Sequence, residues 1–223
     1  RNPESWFTIA RLDLPDRAVP VTIKGVLPGI SKGERLRVHG RWVEDPRYGR
    51  QFRVESFLPL SPDTVEALEK HLGGAAVQGI GPVFAHKLVA EFGEGLIDVL
   101  DNHPERLREV PGIGPKRARS IVASWRESRA QRDAFLFLQG LSLTLGQAAR
   151  VLRRHGEHTV QRVRENPYRL ATDVSGIGFL TADRVARSLG IAQDSPHRLR
   201  AGLLHSLAVA TEQGHCYLPR SEL

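Results

Sequence analysis

The tripeptide Gly-Ile-Gly occurs three times, at Gly79-Ile80-Gly81, Gly112-Ile113-Gly114 and Gly176-Ile177-Gly178, each time between runs of helical spacing. That recurrence constrains the fold most, because helix broken and restarted at fixed intervals marks a repeated supersecondary unit. The first two copies are 33 residues apart and the second and third 64, so a further copy is expected midway through the longer interval. Shifting the first copy by 63 lays Ile80 on Leu143, Ala85 on Ala148, Leu88 on Val151 and Gly93 on Gly156. The apolar frame survives there, but Ser142 and Thr144 stand where the glycines should be. The same shift carries Pro104 and Leu107 of Asn102-His103-Pro104-Glu105-Arg106-Leu107 onto Pro167 and Leu170. The sequence therefore predicts a duplicated unit of two hairpins each, one hairpin of the second unit having lost its glycines.

Around Gly112 the frame is Leu107, Val110, Gly112, Ile113, Gly114, Ala118, Ile121 and Val122, which resembles the helix-hairpin-helix motif of DNA repair and replication proteins. Its chemistry follows from the residue types. Glycine permits a tight turn with positive φ and lets a phosphate approach bare backbone. Amides of the turn and of the next helix start then face the anion, and the helix dipole favours negative charge there. Ile113 is expected to anchor the turn from inside and Ala118 to let two helices cross closely. A single Gly-x-Gly could simply end one helix and start another; three copies on one frame favour a phosphate-binding motif. Binding of that kind reads the sugar-phosphate chain, so it is sequence-independent and salt-sensitive. The candidate contacts are ranked by charge. First come Gly112, Ile113 and Gly114 with Lys116, Arg117 and Arg119, and with Arg126 and Arg129 further along the same predicted helix. Next are Gly79 and Gly81 with His86 and Lys87, and Gly176 and Gly178 with Arg184 beside Asp183. These two hairpins could instead be packing elements, and the glycine-less copy at Leu143 is read as structural.

Residues 1 to about 60 alternate apolar and polar side chains, in Val21-Thr22-Ile23-Lys24-Gly25-Val26 and again from Arg35 to Val43. In the second run Leu36, Val38, Gly40 and Trp42 share one face, and Arg35, Arg37, His39 and Arg41 the other. The turn Asp45-Pro46-Arg47-Tyr48-Gly49 returns the chain into Gln51-Phe52-Arg53-Val54-Glu55. Trp42 and Phe52 are expected in the core of a small barrel, base stacking by Trp42, Tyr48 and Phe52 being the alternative. Arg35, Arg37 and Arg41 are either a solvated face or further nucleic-acid contacts. From Ser61, a candidate helix cap, the pattern turns helical, in short segments. The expected fold is mainly α with a small N-terminal β domain, an OB-like barrel followed by tandem helix-hairpin-helix repeats. Expected boundaries are 1–60 for the barrel, 61–139 and 140–192 for the helical units, and 193–223 for a helical junction.

Charge supports a polyanionic partner: 32 Lys and Arg against 25 Asp and Glu give a net +7 and a pI of about 10.2. One cysteine, Cys216, excludes an internal disulfide, and no run approaches the ~20 apolar residues of a membrane span. A soluble, cytoplasmic protein without membrane partners is expected. With no methionine even at residue 1 and no secretory leader, the chain is expected to be a piece of something longer. His155 and His158 lack a third ligand at metal spacing and are read as solvent-exposed, and Cys216, with no base nearby, as inert. No catalytic or metal-binding residue is assigned. Because no Gly-Lys dipeptide occurs, the segment holds no ordinary phosphate loop of an ATPase.

Four stretches in order resemble the amino-terminal region of RecD-like DNA helicases with a long extension before the motor. They are Gly40-Arg41-Trp42-Val43-Glu44-Asp45-Pro46-Arg47-Tyr48-Gly49-Arg50-Gln51-Phe52, the hairpins, Glu165-Asn166-Pro167-Tyr168-Arg169-Leu170 followed by Gly176-Ile177-Gly178-Phe179, and Gly214-His215-Cys216-Tyr217-Leu218-Pro219. The resemblance implies a bacterial superfamily 1 helicase, related to the exodeoxyribonuclease V alpha subunit, that unwinds DNA 5′ to 3′ with ATP and Mg2+ in repair or recombination. The motor motifs are absent from these residues, so the chain would be the accessory region. Its partners would be DNA, its own C-terminal motor and possible repair proteins. Two alternatives stay open: a RuvA-like, non-catalytic DNA-junction binder, and a protein-interaction scaffold with structural hairpins.

Overall fold

A computed structural model describes residues 5–28, 30, 33–60, 65, 68–69, 72–73 and 79–219. The predicted Ser61 cap and most of the helix after it lie outside these. Four strands come first, β1 (Phe7–Leu12), β2 (Val21–Val26), β3 (Leu36–Asp45) and β4 (Gly49–Pro59). The helices after them are α1 (Pro82–Phe92), α2 (Leu96–Asn102), α3 (Pro115–Gly140), α4 (Leu145–His155), α5 (Thr159–Glu165), α6 (Arg169–Asp173), α7 (Phe179–Ser188) and α8 (Pro196–Glu212). Short 3-10 segments stand at Gly93–Gly95, Pro104–Glu109 and Gly156–His158. Contacts divide the chain into two compact units, Arg1–Leu136 and Phe137–Leu223. The architecture is thus mainly helical with a small N-terminal sheet, although α3, at 26 residues, is longer than the short segments expected.

The sheet has the order β1-β2-β4-β3. β1 and β2 are antiparallel, β2 runs parallel to β4 through Ile23–Phe52 and Lys24–Arg53, and β3 and β4 form an antiparallel hairpin. At its tip Asp45 accepts the Arg47 and Tyr48 amides at 3.1 and 3.2 Å, and its other oxygen meets Lys24 Nζ at 3.2 Å. The Arg47 amide and the Lys24 ammonium hold the Asp45 carboxyl below its ordinary range. Gly49 closes the turn at φ +69°.

A β-bulge interrupts the hairpin: His39 pairs with Ser56 but Gly40 pairs with Val54, leaving Glu55 as the extra residue on β4. The extra residue resets the alternation, so Val54 and Phe57, three apart, both enter the core with Ile23 and Leu27. Phe57 stacks on Phe135 of α3 with ring centroids 5.3 Å apart. Trp42 and Phe52 do not fill this core, contrary to expectation. Beyond the bulge β3 passes into solvent, Trp42 is 38% exposed and Phe52 is only half-buried.

The helical duplication is visible in the backbone. Gly93 (φ 51°, ψ −130°) and Gly156 (φ 55°, ψ −132°) are 63 residues apart and end α1 and α4 in the same unusual conformation. Each leads through a 3-10 turn into a seven-residue helix, α2 or α5. The equivalence corrects one expectation. His155 is 6% exposed, because it occupies the position that Phe92 holds in the first unit, while His158 is exposed as expected. Burial lowers the His155 pKa, opposed by Asp173 at 3.9 Å from Nε2.

Candidate nucleic-acid interface

All four hairpin turns pass through positive φ at the same place: Gly79 at 90°, Gly112 at 94°, Ser142 at 59° and Gly176 at 78°. The residue after each turn, Ile80, Ile113, Leu143 or Ile177, is buried, and so is the alanine further on, Ala85, Ala118, Ala148 or Ala182. In each the alanine amide closes the first helical turn, onto Gly81, Gly114, Thr144 or Gly178, at 2.9–3.1 Å. The copy without glycines is therefore the same hairpin, with serine forced into a region that disfavours a side chain. Ser142→Gly removes that strain and is expected to stabilise the chain by about 0.5–1 kcal/mol in denaturant unfolding.

The hairpins differ in what they leave for an anion. Helix α4 opens with a capping box: the Gln147 amide donates to Thr144 Oγ1 at 3.3 Å and the Thr144 amide to Gln147 Oε1 at 3.1 Å. Two of its amides, those of Thr144 and Gln147, are thus partnered within the chain. Gly81 and Gly178 open α1 and α7 with no side-chain cap, and Gly114, ahead of Pro115, has no side chain to cap with. Orphan first-turn amides at such starts are the donors a phosphate needs.

At the Gly112 turn, two predicted contacts from different hairpins come together. Arg117 Nη1 donates to the Gly112 carbonyl at 2.7 Å, and Lys87 Nζ to the Pro111 carbonyl at 3.5 Å. Both cations also lie on the ring of Phe84, Arg117 Cζ 4.4 Å and Lys87 Nζ 5.6 Å from its centroid. A Cβ on Gly112 would come 3.3 Å from that ring, so the glycine serves both the φ and the close packing. Lys116 and Arg119 are exposed at the start of α3, where Arg119 makes a long 3.4 Å bond to the Pro115 carbonyl. Arg119 joins Arg108 and Arg126 around a groove of about 470 Å³ with Pro115, Ala118 and Val122 in its lining. Arg129 is instead bonded to Asp101, which also accepts Trp125 Nε1 at 2.8 Å. These bonds, working against desolvation, leave Asp101 below its ordinary pKa.

At the Gly176 turn the arrangement is mirrored. Arg150 Nε donates to the Ser175 carbonyl at 2.8 Å and Gln147 Nε2 to the Gly176 carbonyl at 3.2 Å. Sequence reasoning missed Arg150, although the 63-residue shift lays Lys87 on it; Phe84, the packing partner of both first-unit cations, was missed too. Arg184 is exposed on α7. Arg35, Arg37 and Arg41 are exposed on the sheet, Arg41 meeting Glu55 of the bulge at 3.3 Å. Among the described residues, no group of three His, Cys, Asp or Glu side chains is placed to hold a metal, and no helix is long and apolar enough to cross a membrane.

Comparison with known proteins follows the same order along the chain. Residues 1–62 match the OB-fold domain of the ATP-dependent DNA helicase YrrC, 75–127 a SAM-like helix-hairpin-helix tandem, and 127–217 the HHH domain of the ATP-dependent RecD2 DNA helicase. The ATP-dependent RecD2 DNA helicase of Deinococcus radiodurans is 35% identical over 207 residues, 90% of this chain and 28% of that protein. The chain therefore spans under a third of the length of this curated relative. No solved structure matches the chain closely. With an OB-fold match, a hairpin tandem and a RecD2-type hairpin domain in succession over nearly its whole length, the chain matches the N-terminal region of RecD-like DNA helicases.

Proposed function

We propose that the chain is the DNA-engaging accessory region of an ATP-dependent 5′ to 3′ helicase acting in DNA repair or recombination, and that it grips the DNA backbone without regard to sequence. The Gly112 hairpin carries this reading: an uncapped helix start beside Lys87, Lys116, Arg117 and Arg119 joins amide donors to a dense positive field. Gly79 and Gly81 provide a second contact, and Gly176, Gly178 and Arg184 a third. Arg117 and Lys87, fixed on turn carbonyls, hold the turn and offset the carbonyl dipoles beside an arriving phosphate. Lys116 and Arg119, exposed at the start of α3 and off the turn carbonyls, supply further charge. The α4 hairpin, with its Thr144 and Gln147 amides occupied by the capping box, is a packing element. ATP and Mg2+ would be handled by a motor outside these 223 residues, since nothing in them forms a phosphate loop. That motor, and repair proteins, are the expected protein partners.

Titrating single-stranded, duplex and forked DNA of scrambled sequence across a salt series tests the reading. Affinity should fall steeply with salt and ignore sequence. Lys116→Ala with Arg119→Ala, which spares the bonds of the turn, should weaken binding at least about tenfold at 0.1 M salt and lower the salt slope by about 1 to 2. Unchanged affinity and slope in that double variant would remove hairpin two as the contact. Arg117→Ala should lower both affinity and thermal stability, since it also unties Gly112.

A further inference from the structure

We infer that the tip of the β3–β4 hairpin is a separate site, a platform on which an unpaired nucleobase of single-stranded DNA stacks. Cross-strand partners share a sheet face, so Trp42 and Phe52 project together, with Glu44 and Arg50 beside them. Nearer the body of the sheet this face buries Val54; at the tip it opens to solvent, leaving Trp42 38% and Tyr48 74% exposed. The Trp42 ring is held rather than loose. Phe52 meets it edge to face, centroids 5.4 Å apart at 79°, and the Arg50 guanidinium lies 4.6 Å from its centroid. A large indole already held in place costs little entropy to engage, and an arriving base stacks on the part of its face that Arg50 and Phe52 leave open or takes the place of the exposed Arg50.

The charge around it selects a polyanion. Arg41, Arg47, Arg50 and Arg53 are exposed at this end of the hairpin, against Glu44 and Glu55, and Arg41 is the one that meets Glu55. Aromatic stacking beside mobile arginines is the general recipe for binding single strands, because only an unpaired base offers its face. The cation serving Trp42 is Arg50, across the strand pair; Arg41 lies on the opposite face. This platform rests on the nucleic-acid reading of the chain but uses neither the hairpin glycines nor the cations of the Gly112 turn. It gives the chain a preference between strand states that backbone amides alone do not.

The test is intrinsic fluorescence of the 223-residue chain titrated with dT12 and, separately, with a blunt scrambled duplex. Trp6, Trp42 and Trp125 all emit, and Trp125 is buried, so Trp42→Leu identifies the source of any quench. Expected is quenching by dT12 and not by duplex. In Trp42→Leu the quench is lost and dT12 affinity falls roughly 5- to 150-fold, while duplex affinity stays within twofold. Trp42→Phe, which keeps a ring, should retain most of the dT12 affinity, and matching circular dichroism and melting curves certify that both variants fold. Equal dT12 affinity in the folded Leu variant, or equal quenching by duplex, overturns the platform. Duplex binding that vanishes while dT12 still quenches Trp42 would defeat the hairpin reading and leave the platform standing.

Discussion

Gly40→Ala is expected to lose about 3 kcal/mol or more of stability and to scramble the β3–β4 hairpin. A Cβ at this position would lie 1.9 Å from the Arg53 carbonyl oxygen and 2.9 Å from its carbon. Those atoms are backbone, locked in the pairs Arg41–Arg53 and Gly40–Val54, and cannot swing aside as a side chain tip would. Relief requires moving β4 or undoing the bulge, and a one-residue slip turns every side chain beyond it to the other face. Trp42 and Phe52 would then lose their common face. Urea unfolding followed by circular dichroism reads the cost, and two other glycines calibrate it. Gly49→Ala meets nothing within 4 Å but sits at φ +69°, so it should cost only about 1 kcal/mol; Gly81→Ala, unstrained and unobstructed, should be nearly neutral. A Gly40→Ala chain within 1 kcal/mol of the parent would show that the bulge yields.

The repeat could be read from sequence because each hairpin is local: one residue needs positive φ, the next is buried, and an alanine follows at close range. Ser142 marks where that legibility thins, since the turn persisted after glycine was lost and only the 63-residue shift exposed it. The same shift carries Phe92 onto His155, but its neighbours, charged on both sides, argue locally for exposure. Trp42 shows a different limit. Alternation along β3 gives its face correctly, whereas its depth depends on how far the hairpin outruns the core. That in turn depends on Glu55, an extra residue on the partner strand which leaves no mark on β3.

Candidate contacts were legible as a charge-bearing motif but not as a division of labour. Composition counts Lys87, Lys116, Arg117 and Arg119 alike. Only three-dimensional placement separates Lys87 and Arg117, bonded to carbonyls of the Gly112 turn, from Arg119, bonded to Pro115 at the helix start, and from Lys116. The partners that decide it, Pro111 and Phe84, lie 24 residues from Lys87 and 33 from Arg117 respectively. Separations of that size carry no periodic signal.

Asp183→Ala should be the most damaging change in the second unit, costing about 3 kcal/mol or more. Its carboxylate is 6% exposed and accepts from Tyr168 Oη at 2.9 Å and Arg198 Nε at 2.8 Å, with Arg187 Nη2 at 2.8 Å on its other oxygen. Three segments meet there: Tyr168, at the head of α6, and helices α7 and α8. Alanine would strand a buried hydroxyl and a half-buried guanidinium, whose lost partner is charged, and the stack of Tyr168, Phe179 and His205 would loosen with them. The pH dependence follows from the same geometry. The Arg198 hydrogen bond, outweighing desolvation, holds the Asp183 pKa below its ordinary 3.8. A depressed acid stabilises the fold above its unfolded pKa, and that contribution is lost as pH falls below about 4 through the folded value. Tyr168 moves oppositely: burial, then the bond to Asp183, pushes it from 10.0 up to about 12. Its contribution is complete below pH 10.0 and disappears as pH rises through about 12. Melting curves across pH should therefore decline on both sides. Asp183→Asn should shrink the acid limb, leaving the share of Asp45 and Asp101, which are also held below their ordinary values, and Tyr168→Phe should shrink the alkaline one; limbs unchanged in both variants would place the pH sensitivity elsewhere.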